Sequence, residues 1–506
     1  MVFNLQIIFC FYLRARQARS GFARFQKNKF PMNLQELKQQ SKVHFIGLGG
    51  IGMSALAFIL RQWKVPVQGS DLSENYLTQK LRDKGATYFV GHDAKNITDD
   101  VSLIVQTSII KNENPEILEA QKRNIPVITR ANLLAMIMAQ YKGITIAGTH
   151  GKTSTTGIVS LILEIGGLDP TVINGGVIHY FGSNSKVGKG KYLVAESDES
   201  DASFVDLPSF IGAVTNIEPE HLEFKGYGGD FEKQKVCFER YVKQIPAEGL
   251  CVLCLDSPEV EKIYQKLRGE KKNLVTYSIK KNAAKGDADL IAKNISTDAS
   301  GLTFDVVFKD GREIKNIKMP IYGEHNASNA LVAIAIGDFL RMSAEKIKEA
   351  LAVFNGVKRR FTKVGEFDGV SIIDDYGHHP TEIVATLKAA RGLVKDQKII
   401  CVFQPHKFSR VHDLFNEFCG AFSDADCVIV SDIYSAGQAP IAGVSQDALV
   451  EGIKKSGHKN VIKLPSEKDL AGIVKGQIES GDLVLCTGAG TVTYWAAALE
   501  GQLKNL

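Results

Sequence analysis

The stretch GITIAGTHGKTSTTGIVSLILEIGG, residues 143–167, decides the fold class, because an apolar strand leads through a glycine turn directly into an apolar helix. Glycines let backbone N–H groups close around phosphate oxygens, and the N-terminus of the helix adds a positive dipole end. Lys152 can reach the β- and γ-phosphates of a nucleotide, and the Thr153 hydroxyl can bind Mg²⁺. The general motif has a glycine where this chain has Ile146, so this is the shorter G-x-x-G-K-T form. We predict a nucleotide-phosphate loop formed by Gly148, Thr149, His150, Gly151, Lys152, Thr153 and Ser154.

A phosphate loop of this kind needs an acidic partner for its metal ion, and KYLVAESDESD supplies one. Its apolar strand ends at Glu196, and an acid at the carboxyl end of a neighbouring strand is where Mg²⁺ would bind. Three further acids follow, Asp198, Glu199 and Asp201. The position at the strand end favours Glu196, since the others could form a solvated acidic loop. His221, in TNIEPEHLE, is either a metal ligand or a histidine at the edge of the core, and the motif alone leaves both open.

A second glycine-rich turn, GLGGIGMSALA at residues 47–57, also follows a strand and opens a helix. It fits G-x-G-x-x-G through Gly47, Gly49 and Gly52, and Asp71 ends the next strand, where it can contact a ribose. Taken alone, this pattern indicates a nicotinamide-dependent dehydrogenase. Any diphosphate satisfies the same turn, however, so a UDP-sugar fits equally well. The phosphate loop in the next unit favours the UDP-sugar, because a dehydrogenase has no use for ATP γ-phosphate chemistry.

The order of elements predicts an α/β fold with mostly parallel sheets, because apolar strands and helical stretches alternate from about Val43 to the end. A length of 506 residues allows roughly three domains of about 150 residues each. We predict a Rossmann-like N-terminal domain over residues 32–141, a central ATPase domain over 142–355 and a Rossmann-like C-terminal domain over 356–506. Within the central domain, ADLIAKNISTDASGLTFDVVF predicts two strands around a turn.

Composition is that of a soluble globular protein, with 44% apolar and 23% charged residues. A net charge of +5 is too small for this length to indicate nucleic-acid binding. Eight cysteines without a disulfide-like framework suggest a reducing compartment, and we expect a cytoplasmic protein. The C-x-x-C of Cys251 and Cys254 lies in an apolar strand without a second metal-binding pair, so buried thiols are expected there.

The first 31 residues are basic, with six arginines and lysines and no acid. Their apolar run, Phe3–Leu13, is too short to span a bilayer, and its arginines come after it, which argues against a signal peptide. An organellar transit peptide is one interpretation. We favour the plainer one, in which Met32 is the true start, and we expect no stable membrane association.

Nine motifs, in order, resemble the Mur ligase family: GLGGIGMSALA, AGTHGKTSTT, AESDESDASF, TNIEPEHLE, GEHNASNALVA, GVKRRF, DDYGHHPTE, QPHKFSR and TGAGT. Together they span nearly all of residues 32–506. The resemblance implies three domains, for a UDP-substrate, ATP and an amino acid, and ATP-dependent ligation. Within the family, the motifs are most similar to the branch that couples L-alanine to UDP-N-acetylmuramate in peptidoglycan synthesis.

The resemblance also implies a role for each matching residue. The UDP part would be held by Gly47, Gly49, Gly50, Gly52, Ser70 and Asp71. ATP phosphates and Mg²⁺ would be held by Lys152, Thr153, Glu196 and His221. The adenine side would meet Asn326 and Asn329, and the γ-phosphate Arg359 or Arg360. The amino acid would be framed by Tyr376, His378, His379 and Arg410. Standing alone, HNASNA could be a helix cap, the two arginines of GVKRRF a solvated pair, and the two histidines of DDYGHHPTE a packed turn.

Two positions differ from what the family leads us to expect. Lys407 in QPHKFSR stands where the family usually has arginine, and lysine cannot make a bidentate fork to a carboxylate. Related ligases use a carbamylated lysine, for which Lys235 is the nearest candidate by position, and we leave it out of the predicted site.

Three alternatives remain open. The nearest is a ligase that recycles a murein tripeptide onto UDP-N-acetylmuramate, which would need a wider amine pocket. The others are a nicotinamide-dependent dehydrogenase and a non-catalytic nucleotide-binding regulator. The presence of both Lys152 and Glu196 argues against the regulator. The oligomeric state does not follow from the sequence.

Overall fold

The computed structural model describes residues 42–107, 110–200, 202–222, 226–280 and 288–506. The basic N-terminal extension and the predicted start at Met32 lie outside these residues. Within them, no helix combines the length and the apolar character that a membrane span requires. Three sheets with intervening helices follow one another along the chain, which confirms the predicted α/β fold class.

The first sheet is parallel throughout. Its strands are β1 (Lys42–Ile46), β2 (Val67–Asp71), β3 (Thr87–Val90), β4 (Val101–Gln106) and β5 (Val127–Thr129). Its helices are α1 (Ile51–Gln62), α2 (Tyr76–Asp83), α3 (Pro115–Lys122) and α4 (Arg130–Met138). The strand order is β3-β2-β1-β4-β5, so the chain reverses direction across the sheet beside β1. Ligands bind at such a switch point, and the first glycine turn lies at the carboxyl end of β1.

The second sheet has ten strands in the order β15-β14-β13-β12-β11-β10-β6-β9-β7-β8. These are β6 (Lys142–Ala147), β7 (Thr171–Ile178), β8 (Ser183–Lys186), β9 (Tyr192–Glu196), β10 (Ser209–Val214), β11 (Leu250–Cys254), β12 (Leu274–Ser278), β13 (Leu290–Asp298), β14 (Gly301–Phe308) and β15 (Glu313–Met319). The helices are α5 (Lys152–Ile165), α6 (Phe231–Gln244), α7 (Pro258–Leu267), α8 (Glu324–Phe339) and α9 (Ala344–Ala352).

The predicted pair of strands at residues 288–308 is confirmed as the antiparallel hairpin of β13 and β14, and β15 extends it by one strand. The two cysteines of the C-x-x-C are buried free thiols in β11, also as predicted. Helices α8 and α5 pack against each other and against the second sheet, and most residues of both are buried. This packing brings the GEHNASNA motif at the start of α8 next to the phosphate loop.

The third sheet has the order β16-β17-β21-β18-β19-β20, and only β16 is antiparallel to its neighbour. Its strands are β16 (Thr362–Phe367), β17 (Val370–Asp375), β18 (Ile399–Phe403), β19 (Cys427–Val430), β20 (Val461–Lys463) and β21 (Leu483–Thr487). Its helices are α10 (Pro380–Val394), α11 (Phe408–Asp413), α12 (Phe415–Gly420), α13 (Gln446–Lys455), α14 (Leu470–Lys475) and α15 (Val492–Lys504). The motifs DDYGHHPTE and QPHKFSR follow β17 and β18, so their polar residues share the carboxyl edge of this sheet.

Candidate active site

The phosphate loop connects β6 to α5 at the centre of the second sheet. Gly148 and Gly151 have φ angles of 128° and 82°, which residues with a Cβ rarely adopt. A Cβ on Gly148 would stand 2.1 Å from Thr215 Oγ1, and one on Gly151 would stand 2.7 Å from Asn329 Oδ1. The loop therefore needs both glycines, because its backbone passes so close to its neighbours.

Lys152 is folded back over this loop. Its Nζ donates to the carbonyl oxygens of Gly148 at 2.6 Å and Thr149 at 2.9 Å, and it lies 2.8 Å from Glu199 Oε2. Burial by itself lowers the pKa of Lys152, but the carboxylates of Glu199 and Asp198 outweigh burial and raise it. The ammonium group is therefore charged, and its partner is Glu199, an acid that the sequence did not single out.

Glu196 ends β9 beside the loop, as predicted. Its carboxylate accepts a hydrogen bond from Gly175 N at 2.5 Å and another from the Thr153 hydroxyl. Burial raises the pKa of Glu196, against the opposing effects of the Gly175 N–H and of Lys152. A partly buried carboxylate beside a hydroxyl is an oxygen donor set that suits Mg²⁺. The arrangement fits the metal role of Thr153 and Glu196, which stays a prediction.

His221 lies in a second acidic group. Its ring, Glu199 and Glu220 each place one potential ligand atom within 4.8 Å of the others. The backbone of His221 has a φ of 58°, so the residue is held in a conformation that is uncommon outside glycine. The metal-ligand interpretation of His221 is compatible with this position.

A cavity of about 520 Å³ opens between the second and third sheets, next to the phosphate loop. Its walls include Gly151, Ser154, Asn326, Asn329 and Arg360. The two asparagines are tied to each other and to the loop helix, because Asn329 Nδ2 donates to Asn326 Oδ1 at 3.1 Å and Asn329 Oδ1 accepts from Thr155 at 3.1 Å. The structure thus places both asparagines beside the phosphate loop and in the wall of this cavity, and their contact with adenine stays a prediction.

The two arginines of the GVKRRF motif have different surroundings. Both guanidinium groups lie over the ring of Tyr376, at 4.7 Å for Arg359 and 5.1 Å for Arg360. Arg359 Nη2 donates to the carbonyl oxygen of Gly488 at 2.8 Å, within the C-terminal domain. Arg360 instead lines the cavity. Of the two arginines, Arg360 and not Arg359 borders the cavity, and its contact with the γ-phosphate stays a prediction.

Arg410 crosses from the C-terminal domain to the central domain. Its Nη2 donates to Glu220 Oε1 at 2.7 Å, and both side chains are more than nine-tenths buried. His378 lies beside this pair, with Nε2 at 3.9 Å from the same Glu220 oxygen. Burial, together with the positive charge of Arg410, lowers the pKa of His378 to about 4 despite the nearby Glu382 carboxylate. Its imidazole is therefore neutral near pH 7.

A second crossing contact joins the phosphate loop to α10, and the sequence did not indicate it. His150 lies between two carboxylates, with Nε2 at 3.2 Å from Glu218 and Nδ1 at 3.2 Å from Glu382. Burial opposes the charge on His150, but the two carboxylates raise its pKa to about 10. Glu382 also accepts from the backbone N–H groups of His378 and His379. The spacing of His379 and Glu382 in DDYGHHPTE is that of a capping box, which is the one pattern that could have drawn attention to Glu382.

The first glycine turn is held by the end of β2. Asp71 Oδ2 accepts from Gly49 N at 2.8 Å, so this carboxylate fixes the turn itself. The hydroxyl of Ser70 donates instead to buried Glu116 at 2.6 Å, and only its carbonyl oxygen faces the turn, where it accepts from Gly47 N at 2.9 Å. Contact between the Ser70 side chain and a ligand therefore stays a prediction that this geometry does not favour. Gly50 is the N-cap of α1, and Gly52 lies in the first turn of that helix.

Three family models match successive parts of the chain. They are described as Mur ligase family, catalytic domain, over residues 42–142, Mur ligase middle domain over 146–337, and Mur ligase, glutamate ligase domain, over 359–490. The chain belongs to the Mur ligase family. Curated Mur ligases resemble it over nearly their whole length. It is 47% identical over 470 residues to UDP-N-acetylmuramate–L-alanine ligase from Bradyrhizobium diazoefficiens, covering 92% of this chain and 98% of that one.

A protein of the same name from Phenylobacterium zucineum is 46% identical over 468 residues, covering 92% of this chain and 96% of that one. Among solved structures, UDP-N-acetylmuramate–alanine ligase from Thermotoga maritima superposes with a TM-score of 0.78 at 27% identity. That match covers 92% of this chain and 99% of the other. The three-sheet architecture of this Mur ligase is thus shared along the full length of a solved relative.

Proposed function

We propose that this Mur ligase couples L-alanine to the carboxylate of UDP-N-acetylmuramate, using ATP and passing through an acyl phosphate. The observation that carries the proposal is the meeting of two parts of the molecule. Lys152 of the phosphate loop and two C-terminal residues, His378 and Arg410, converge on Glu220. Lys152 interacts with it by charge, and the other two lie 3.9 Å and 2.7 Å from its carboxylate. The names of relatives that are 46% and 47% identical support the same two substrates.

ATP would occupy the loop and the adjoining cavity. Backbone N–H groups of Gly151, Lys152 and Thr153 at the start of α5 suit the phosphates, and the base lies toward the Asn326 side. Lys152 is charged and paired with Glu199. A bound γ-phosphate would share that charge, so the lysine need not gain a proton on binding.

Mg²⁺ would be held by the Thr153 hydroxyl and the Glu196 carboxylate, with the group of His221, Glu199 and Glu220 as a second candidate set. The ion supplies positive charge that offsets the repulsion between the substrate carboxylate and the γ-phosphate. The protein's own cations, Lys152 and Arg360, both act on the Glu196 carboxylate and would neutralise charge that develops on the phosphoryl oxygens.

The reaction has two steps. An oxygen of the muramate carboxylate attacks the γ-phosphorus, the bond to the β-phosphate oxygen breaks, and ADP leaves. The amine of alanine then attacks the acyl carbon, and the bond between that carbon and the phosphate oxygen breaks. Phosphate therefore departs with one oxygen that belonged to the carboxylate. Phosphorylation is needed because an unactivated carboxylate would have to expel oxide.

The amino acid is a zwitterion, and Arg410 with Glu220 offers a complementary pair of charges. These two side chains pair with each other at 2.7 Å. Arg410 can turn its planar fork to the alanine carboxylate, while Glu220 attracts the ammonium group. The neutral imidazole of His378, beside Glu220, can accept the proton that the ammonium must lose before attack.

Product formation tests the proposal most simply. We expect UDP-N-acetylmuramoyl-L-alanine and ADP to form with L-alanine as the best amine, and glycine or L-serine to react less well by about 10- to 200-fold, the discrimination that one small group provides. Arg410→Ala should raise the apparent KM for alanine far more than that for ATP. Lys407→Arg should leave alanine binding unchanged or tighten it. A tripeptide that begins with L-alanine and outperforms free alanine would overturn the assignment.

Free buried thiols fit a reducing compartment, and we assign the reaction to the cytoplasm.

A further inference from the structure

His379 is both a helix cap and a nearly buried side chain at the boundary of two domains. It precedes α10, and its Nδ1 accepts a hydrogen bond from Thr381 N at 3.3 Å. The side chain is 5% exposed, and its ring lies 4.8 Å from the ring of His150 in the phosphate loop. The residue thus joins the first turn of α10 to the loop that holds the nucleotide phosphates.

The capping bond decides which nitrogen of His379 carries the hydrogen. A nitrogen that accepts from a backbone N–H presents its lone pair, so in the neutral ring the hydrogen is on Nε2. Burial and the positive charge of His150 both lower the pKa of His379, which keeps the ring neutral. Nε2 is therefore an N–H donor.

This donor is buried and has no hydrogen-bond partner within the described part of the chain. Buried donors in folded proteins almost always have an acceptor, so one left open beside a functional loop indicates that a ligand supplies it. The spacing of His150, Glu218 and His379 resembles a metal site, with one potential ligand atom of each within 4.8 Å of the others. Nε2 cannot bind a metal ion while it carries the hydrogen, so the expected partner is an oxygen acceptor instead.

We propose that His379 is a catalytic residue that donates from Nε2 to an oxygen of the phosphoryl group as it passes from ATP to the muramate carboxylate. The inference rests on the proposed ligase function and refines it. The family resemblance implied that His379 frames the amino acid, and the proposal assigns it to the phosphoryl group instead. The neighbouring His150 is charged and lies in the phosphate loop. Both His150 and Arg360 line the cavity beside that loop. The carboxylates of Glu220, Glu382 and Glu218 also act on the His379 ring. A phosphoryl oxygen is the acceptor that the open Nε2–H and the adjoining phosphate loop favour.

The test is His379→Asn, because asparagine is a good N-cap and retains the bond to the start of α10 while its shorter side chain cannot reach the phosphoryl oxygen. Steady-state rates would be measured with UDP-N-acetylmuramate, ATP and L-alanine. We expect kcat to fall by about 100- to 1,000-fold, the usual effect of losing one donor to a developing oxyanion, with the KM for alanine unchanged within about twofold. An unchanged unfolding temperature would show that the cap is intact.

A second measurement does not depend on turnover. Binding of ADP with aluminium fluoride, a mimic of the transferred phosphoryl group, should weaken at least about tenfold in His379→Asn, whereas ADP alone should bind equally to both proteins. His412→Asn is the matched control, since the His412 side chain is 59% exposed, pairs with Asp413 and should leave binding of the mimic unchanged. An alanine KM that rises with kcat preserved, or a mimic that binds both proteins equally, would overturn the proposal. Absence of any product with the wild-type enzyme would instead refute the ligase function.

Discussion

Glu382 provides the sharpest test of how the C-terminal domain is held against the phosphate loop. Its carboxylate lies 3.2 Å from His150 Nδ1, accepts from the backbone N–H of His378 at 3.0 Å, and lies 3.9 Å from Arg360. Its side chain is 14% exposed. Replacement by glutamine keeps the shape and the capping of α10 but removes the charge that faces the His150 imidazolium.

The magnitude follows from the kind of bond that is lost. A hydrogen bond to a charged, mostly buried partner is worth about 1.5–3 kcal/mol. If closure of the C-terminal domain depends on this bond, Glu382→Gln should lower kcat/KM by about tenfold to a hundredfold. The loss should affect ATP and alanine alike, because both lie at this boundary. The KM for UDP-N-acetylmuramate should stay unchanged, since its glycine turn is in the first domain. Phosphate release at varied concentrations of each substrate measures all three.

Lys388 supplies the matched control. It pairs with Glu324 at 2.8 Å across the same two domains, but its side chain is 65% exposed. Exposed ion pairs contribute about 0–1 kcal/mol, so Lys388→Gln should change kcat/KM by no more than about fivefold. Equal effects of Glu382→Gln and Lys388→Gln, or a Glu382→Gln enzyme within twofold of the wild type, would refute the reasoning.

Three further predictions concern the loop, a buried ion pair and the N-terminal extension. Lys152→Ala should abolish ligation yet leave binding of UDP-N-acetylmuramate nearly intact, and equal loss of both ligands in calorimetry with a folded protein would contradict this. Although burial alone would raise it, Arg410 and His221 hold the pKa of Glu220 at about 2, below its usual 4.5, so its carboxylate stabilises the fold above pH 4.5 and that contribution is lost as pH falls toward 2. Glu220→Gln should therefore melt at a lower temperature than the wild type near pH 7. The difference between the two melting temperatures should shrink as the pH falls toward 2, and a difference that stays constant with pH would contradict the prediction. A chain that starts at Met32 should keep full activity and stability, and a large drop in either, measured side by side, would show that residues 1–31 dock on the fold.

The elements that carry the chemistry were predictable from the sequence, because each has a local cause. The phosphate loop is fixed by glycines at positive φ between an apolar strand and an apolar helix, and Glu196 by its place at the end of β9. The short apolar run that precedes Glu196 is typical of a buried strand, and it is β9 here. Each of these features depends on residues that are close together in the sequence, so the sequence was enough to predict them.

Contacts between domains were not predictable in the same way. Glu199 was not preferred over its acidic neighbours, yet it is the partner of Lys152. Arg410 meets Glu220 across 190 residues of chain, and His150 meets Glu382 across 232. No periodicity or spacing relates such distant positions. The orientation of Ser70 was also inaccessible, because the alternation of side chains along β2 leaves open which neighbour its hydroxyl meets.

The path of one oxygen atom tests the central claim most directly. UDP-N-acetylmuramate labelled with ¹⁸O in its carboxylate would be incubated with the enzyme, ATP and L-alanine, and the released phosphate examined by mass spectrometry. If an acyl phosphate forms in the cleft between the phosphate loop and α10, each phosphate carries one oxygen from the carboxylate, and the other stays in the new amide. Phosphate without ¹⁸O, released in step with the amide product, would contradict the account.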